Sequence, residues 1–179
     1  MARSALRLFD ERGFDLVTVE EIADSCGVSS RTFFRYFASK EDALFIEGES
    51  RRTGLLAALD AQPPDASPLE VIEGAIRSVV AQYEADRELL LARARIVQSA
   101  PSLRTRDAEL PRQWDRDIVE RFRRGDRGWR VSDFDLRLTV GTAMTALRVS
   151  IETWLASEED DLRELLDISF RRLHDGLEA

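Results

Sequence analysis

The chain of 179 residues contains one cysteine, one histidine and no apolar run near the ~20 residues that a membrane-crossing helix needs. A single cysteine excludes an internal disulfide framework, and a reducing cytoplasm is the simplest address. The single histidine, His174, has no nucleophile placed beside it by the sequence, which reads as a solvated side chain and not as a catalytic base. There is no glycine-rich phosphate loop and no metal-ligand spacing, and the acids Glu158 to Asp161 read as the start of a helix and not as a cation site. No basic-then-apolar leader opens the chain. Period-two alternation is missing too, so no strand pattern competes with helix. These gaps speak against an enzyme, a cofactor protein and a membrane protein.

What is present is a mixed, charge-rich helical sequence. Apolar residues make up 44%, ordinary for a globular core, and charged residues 34%. The net charge of −8 opposes indiscriminate binding to nucleic acid. Its distribution is uneven. From Val28 to Lys40 the chain carries Arg31, Arg35 and Lys40 and no acid, a small basic face on an acidic body.

That face lies in the stretch Val19 to Phe37. Thr18 and Glu21 have the spacing of a capping box, Ile22 and Ala23 give a short apolar face, and Gly27 can end the helix in a left-handed conformation. Ser29 is a good N-cap for a second short helix reaching Phe37. Two short helices around a tight glycine turn make a helix-turn-helix. The second helix has Phe33 and Phe37 for packing, with Val28 in the turn. Ser29, Arg31, Thr32, Phe34, Arg35 and Tyr36 are left for the major groove and its phosphates. Cys26 reads as a small buried hydrophobe.

Along the rest of the chain, helical spacing predicts a helix from Met1 to Arg12 ended by Gly13. The small N-terminal core comprises Leu6, Phe9, Phe14, Ile22, Val28, Phe33 and Phe37. Ser39 and Asp42 cap a helix running towards Leu59, which Gly48 and Gly54 weaken. The break QPPDASP precedes a helix carrying Ile72, Ala75, Ile76, Val79, Val80 and Tyr83, and a further helix spans Arg87 to Ser99. Pro111 is expected to kink or split the next helical stretch, and a polar loop covers Arg123 to Val131. Ser132 caps a long helix, and Ser157 with the following acids opens a last helix lined by Leu162, Leu166, Phe170, Leu173 and Leu177. The predicted fold is all-α: a three-helix DNA-binding unit over residues 1–45, then a helical bundle over residues 46–179.

The stretch GVSSRTFFRYFASKEDAL, extended upstream by LRLFDERGFDLVTVEEIA, resembles the DNA-binding signature of the TetR family of transcriptional regulators. The chain departs from the usual wording at Arg31, Phe33, Phe34 and Tyr36, where the family often has Gly, Leu, Tyr and His. Phe34 lacks the hydroxyl that typically touches a phosphate, and Arg31 adds a charge that could replace it. The resemblance implies that Lys40 faces a phosphate. It also implies a homodimer formed by the last two helices and an inducer pocket among the middle helices; the apolar stripes of the last two helices put Leu147, Ile151, Leu166, Phe170 and Leu173 in the predicted seam. Through PSLRTRDAELPRQW and a late WL, the second half is similar to the mycofactocin-type regulators, for which long acyl-CoA ligands come into question.

Tyr83, Arg93, Trp114, Phe122 and Met144 are the candidate ligand-binding residues, apolar walls with one charged group. Arg93 shares a helical face with Leu89, Ile96 and Val97, and two readings stay open: an internal ion pair with one of the many acids, or an anchor for an anionic ligand. The sequence thus predicts a repressor acting as a homodimer on a double-stranded DNA operator, needing no cofactor and released by a small effector such as an acyl-CoA or lipophilic acid. The alternatives are a constitutive DNA-binding protein without effector, and a helical enzyme.

Overall fold

The computed structural model describes residues 1–125 and 127–176. Among the described residues there are nine helices and no strand: α1 (Ala2–Arg12), α2 (Val19–Ser25), α3 (Ser30–Tyr36), α4 (Lys40–Asp60), α5 (Pro68–Ala85), α6 (Arg87–Ser99), α7 (Pro101–Arg124), α8 (Asp133–Ala156) and α9 (Leu162–His174). None is long and apolar enough to cross a membrane. The fold is the all-helical one the periodicity predicts. α4 runs unbroken through Gly48 and Gly54, and α7 is not split at Pro111, which lies inside it. α9 begins at Leu162 with Asp161 as its N-cap, so the preceding acids lie outside the helix. Leu177 falls outside the described residues.

The helices gather into two compact units that do not follow chain order. One is Met1–Arg51 with Asp86–Glu109; the other is Arg52–Ala85 with the chain from Leu110 onward. Sequence patterning, which sees only neighbours in the chain, places a boundary near residue 45. Packing puts α6 and the start of α7 with the N-terminal helices. α1 lies on α6 as well as on α2, Arg95 of α6 grips Asp10 of α1 with two hydrogen bonds, and Arg106 of α7 reaches Asp42 of α4 at 2.8 Å.

In the first unit Ala5, Leu6, Phe9, Phe14, Val17, Ile22, Phe33 and Phe37 are buried, while Val28 is only half-buried. Full burial of a side chain such as Phe9 or Phe33 contributes about 1.5–3 kcal/mol. The rings of Phe9 and Phe14 meet at 4.9 Å, and those of Phe33 and Phe37 at 5.0 Å. In the second unit α8 packs on α5 and α9, and α5 on α9. Ile72, Ile76, Val80 and Tyr83 of α5 share its core with Leu136, Val140, Met144 and Leu147 of α8 and with Leu162, Leu166 and Phe170 of α9. Ser67 and Glu70 form a capping pair at the start of α5, where Pro68 occupies the first helical position and needs no amide donor.

Candidate nucleic-acid interface

The turn between α2 and α3 is built from local chemistry. Thr18 Oγ1 accepts from the Glu21 amide at 3.3 Å, and Glu21 Oε2 accepts from the Thr18 amide at 2.9 Å. Arg12 donates to the other Glu21 oxygen at 2.7 Å, tying the end of α1 to the start of α2. The Thr18 amide first, and Arg12 after it, hold the Glu21 carboxyl below its ordinary pKa. Gly27 adopts φ 66°, and the Val28 amide turns back to the Ala23 carbonyl at 3.0 Å, which closes α2 and redirects the chain. A side chain at Gly27 would be strained in that conformation.

α3 then starts at its cap, where Ser29 Oγ accepts from the Thr32 amide at 3.2 Å and meets Thr32 Oγ1 at 3.1 Å. Phe33 is fully buried and Phe37 nearly so, so they fix the inner side of α3. Arg31, Phe34 and Arg35 are exposed on its outer side, and Tyr36 is 60% exposed. Phe34 stands edge-on to Phe33 at 5.7 Å. The structure therefore brings the α3 candidates together on one short helix, with no acid between Val28 and Lys40.

Lys40 makes contacts within its own chain. Its Nζ donates to the carbonyls of Phe14 at 2.7 Å and Val17 at 3.1 Å, with that of Asp15 at 3.5 Å, and it lies 4.4 Å from the centroid of the Phe14 ring. An ammonium has three N–H bonds, and here three carbonyls of the loop before α2 surround it. The resemblance implies a phosphate contact; the geometry gives a staple that holds that loop against the start of α4.

The remaining candidates divide between the two units. Tyr83, Phe122 and Met144 are buried in the second unit, and Trp114 is half-buried there. Arg93 belongs to the first unit and takes the internal ion pair: its guanidinium bonds Asp107 and stacks 5.0 Å from the centroid of the Phe45 ring, with Arg106 at 4.8 Å from the same ring. Arg93 also borders a small cleft with Leu6, Leu44 and Arg51, which none of the other four reaches. Trp129 is held by its indole N–H, which donates to the Ala66 carbonyl at 2.9 Å, and by the Phe122 ring at 4.9 Å. Asp115, half-buried on α7, has its pKa raised by burial, with the charge of Arg148 acting in the opposite direction. Among the described residues no three His, Cys, Asp or Glu side chains converge as a metal site.

The expected dimer seam needs correction. Leu147, Leu166 and Phe170 are 3%, 1% and 0% exposed within the single chain, so they are core residues of the second unit, where α5, α8 and α9 pack together. Ile151 and Leu173 are half-buried. The apolar residues that α8 and α9 leave uncovered are Phe134, Leu138, Val149 and Ile168. Phe134, Leu138 and Val149 fall on one α8 stripe, a spacing readable in the sequence but outweighed by the stronger Leu136–Val140–Leu147 stripe on the other side.

Residues 3–47 match the family model described as bacterial regulatory proteins, tetR family, and residues 66–178 match that of the MftR C-terminal domain. The regulator TcmR of Streptomyces glaucescens is 32% identical over 188 residues, covering 99% of this chain and 80% of that protein. The chain belongs to the TetR family of transcriptional regulators. The putative mycofactocin biosynthesis regulator MftR of Mycobacterium tuberculosis is 25% identical, covering 97% of this chain and 87% of that one. Among solved structures, FadR of Thermus thermophilus, a TetR-family repressor in complex with lauroyl-CoA, superposes with a TM-score of 0.64 at 28% identity, covering 99% of this chain and 93% of FadR. The fatty acid degradation regulator FadR of Bacillus halodurans, at 23% identity and a TM-score of 0.67, covering 98% and 93%, shares the fold. Family membership makes this protein a DNA-binding transcriptional regulator and assigns α2 and α3 as its helix-turn-helix.

Proposed function

We propose that the protein is a ligand-released repressor that binds its operator as a homodimer in the cytoplasm. The observation that supports DNA reading best is the construction of α3. Two buried phenylalanines anchor its inner side, and Arg31, Phe34, Arg35 and Tyr36 stand clear on its outer side. Arginine can meet guanine O6 and N7 with two hydrogen bonds, and an exposed phenylalanine suits the thymine methyl group. One seven-residue helix reads too few base pairs for genomic specificity, and two-fold pairing doubles the contact.

The exposed α8 stripe of Phe134, Leu138 and Val149, with Ile168 of α9, is the surface for that pairing. A stripe of large apolar side chains in water favours burial against a second copy.

For the effector, the fatty acyl thioester class is favoured by the lauroyl-CoA complex of the similar FadR and by the apolar side chains of Tyr83, Trp114, Phe122 and Met144 in the second unit. Arg93, committed to Asp107, is not needed for this reading. Ligand binding better to a state that does not fit the operator shifts the population towards it. The test is titration of acyl-CoAs of graded chain length into the protein–operator complex. Release of DNA by medium or long chains, and not by free CoA, is expected; acyl-CoAs that bind without releasing DNA would overturn the effector assignment.

A further inference from the structure

α3 carries a contact between two of its own exposed side chains. Arg35 Nη2 donates to Tyr36 Oη at 3.1 Å, and the Arg35 guanidinium carbon lies 4.9 Å from the centroid of the Tyr36 ring. Packing does not require this tyrosine: Phe33 and Phe37 fill the inner side of α3, and Tyr36 is 60% exposed. A free arginine side chain samples many rotamers, and ordering it on binding DNA costs free energy. A ring beside the guanidinium and a hydroxyl on one of its donors remove much of that freedom beforehand. The guanidinium has five N–H donors. The tyrosine takes one and leaves enough to meet both acceptors of a guanine edge. Because the phenol oxygen accepts from Arg35, its own O–H is left to donate, and a phosphate oxygen of the same strand is a suitable acceptor.

We propose that Tyr36 is a positioning residue that holds Arg35 for guanine recognition, so that base reading at this position depends on the Arg35–Tyr36 pair and not on Arg35 alone. This rests on the reading of α3 as the DNA-contacting helix, and the test separates the two. The probe is the duplex recovered by selection from a random pool with the parent protein, together with the same duplex carrying 7-deazaguanine at its guanines. Affinities are measured for the parent, Arg35→Ala, Tyr36→Phe and the double variant.

Tyr36→Phe keeps the ring and removes only the hydroxyl. It is expected to weaken the selected duplex by about two- to tenfold, the range of one hydrogen bond, with an unchanged melting temperature. It should also reduce the discrimination against 7-deazaguanine. In the Arg35→Ala background the same change should have little effect, because its target is gone. Equal losses from Tyr36→Phe in both backgrounds, or no loss in either, would overturn the proposal while leaving α3 as the DNA helix. If Arg35→Ala bound the selected duplex like the parent, the arginine reading itself would fall, and this inference with it.

Discussion

The ammonium of Lys40 lies 2.7 Å from the carbonyl oxygen of Phe14, with the Val17 carbonyl at 3.1 Å. This ties the first residue of α4 to the loop that leads into α2. A lysine that contacts a phosphate and a lysine that staples a loop give different results on substitution. Lys40→Met should lower stability by about 1–3 kcal/mol, the loss of charge-assisted hydrogen bonds to carbonyls. The dependence of operator binding on salt should keep its slope. A slope reduced by about one unit with unchanged stability would assign Lys40 to the phosphate backbone instead. Thermal melting and a salt titration of operator binding decide between them.

The dimer surface is tested by a pair of variants. Val149→Asp places a charge on the exposed α8 stripe and should leave the fold intact while shifting the protein to monomer in sedimentation. Phe170→Asp attacks a residue with no exposure and should unfold the second unit, at a cost of at least the ~3–5 kcal/mol of deleting a buried phenylalanine. A folded monomer from Phe170→Asp, or an unaffected dimer from Val149→Asp, would return the seam to the residues the sequence suggests.

Asp115 gives a pH-dependent prediction. Burial raises its pKa in the folded state, so at neutral pH its ionised form costs stability. Asp115→Asn removes that cost and should raise the melting temperature at pH 7. The advantage should shrink as pH falls through the raised pKa, because the parent carboxyl then becomes neutral in the folded protein. The opposite trend applies to Asp10, whose pKa is lowered by its hydrogen bond to Arg95. Its contribution is present above the unfolded pKa of about 4 and is lost as pH falls through the lower folded value. Melting curves of the parent, Asp115→Asn and Asp10→Asn across acid to neutral pH check both signs. An advantage for Asp115→Asn that grows in acid would contradict the burial argument.

Local signals carried the helix-turn-helix. Thr18 with Glu21, Gly27 and Ser29 act over three to six residues, and their hydrogen bonds are those the spacing predicts. The same holds for the α8 cap at Ser132, whose oxygen accepts from the Asp135 amide at 3.1 Å. Long-range partners were not legible. Arg93 has several acids within reach in the sequence, and only the placement of α6 against α7 selects Asp107. The seam residues show the limit of periodicity: a helix with two apolar stripes does not declare which one its own chain covers. Leu147 and Phe170 went to the core, and Phe134 and Val149 were left outside. The carbonyl contacts of Lys40 were not legible either, since a basic residue beside a recognition helix looks the same in sequence whether it points at a phosphate or at a carbonyl.

The proposed repressor function turns on α3 reading DNA sequence through Arg35. The most direct test is selection of binding sites from a random duplex pool with the purified protein, followed by measurement of the parent and Arg35→Ala on the recovered sequence and on unrelated DNA. An enriched two-fold-symmetric site containing guanine is expected, and a loss of about 1–3 kcal/mol for Arg35→Ala on that site with little change on unrelated DNA. No enriched sequence, or an enriched one that Arg35→Ala binds as tightly as the parent, would contradict it.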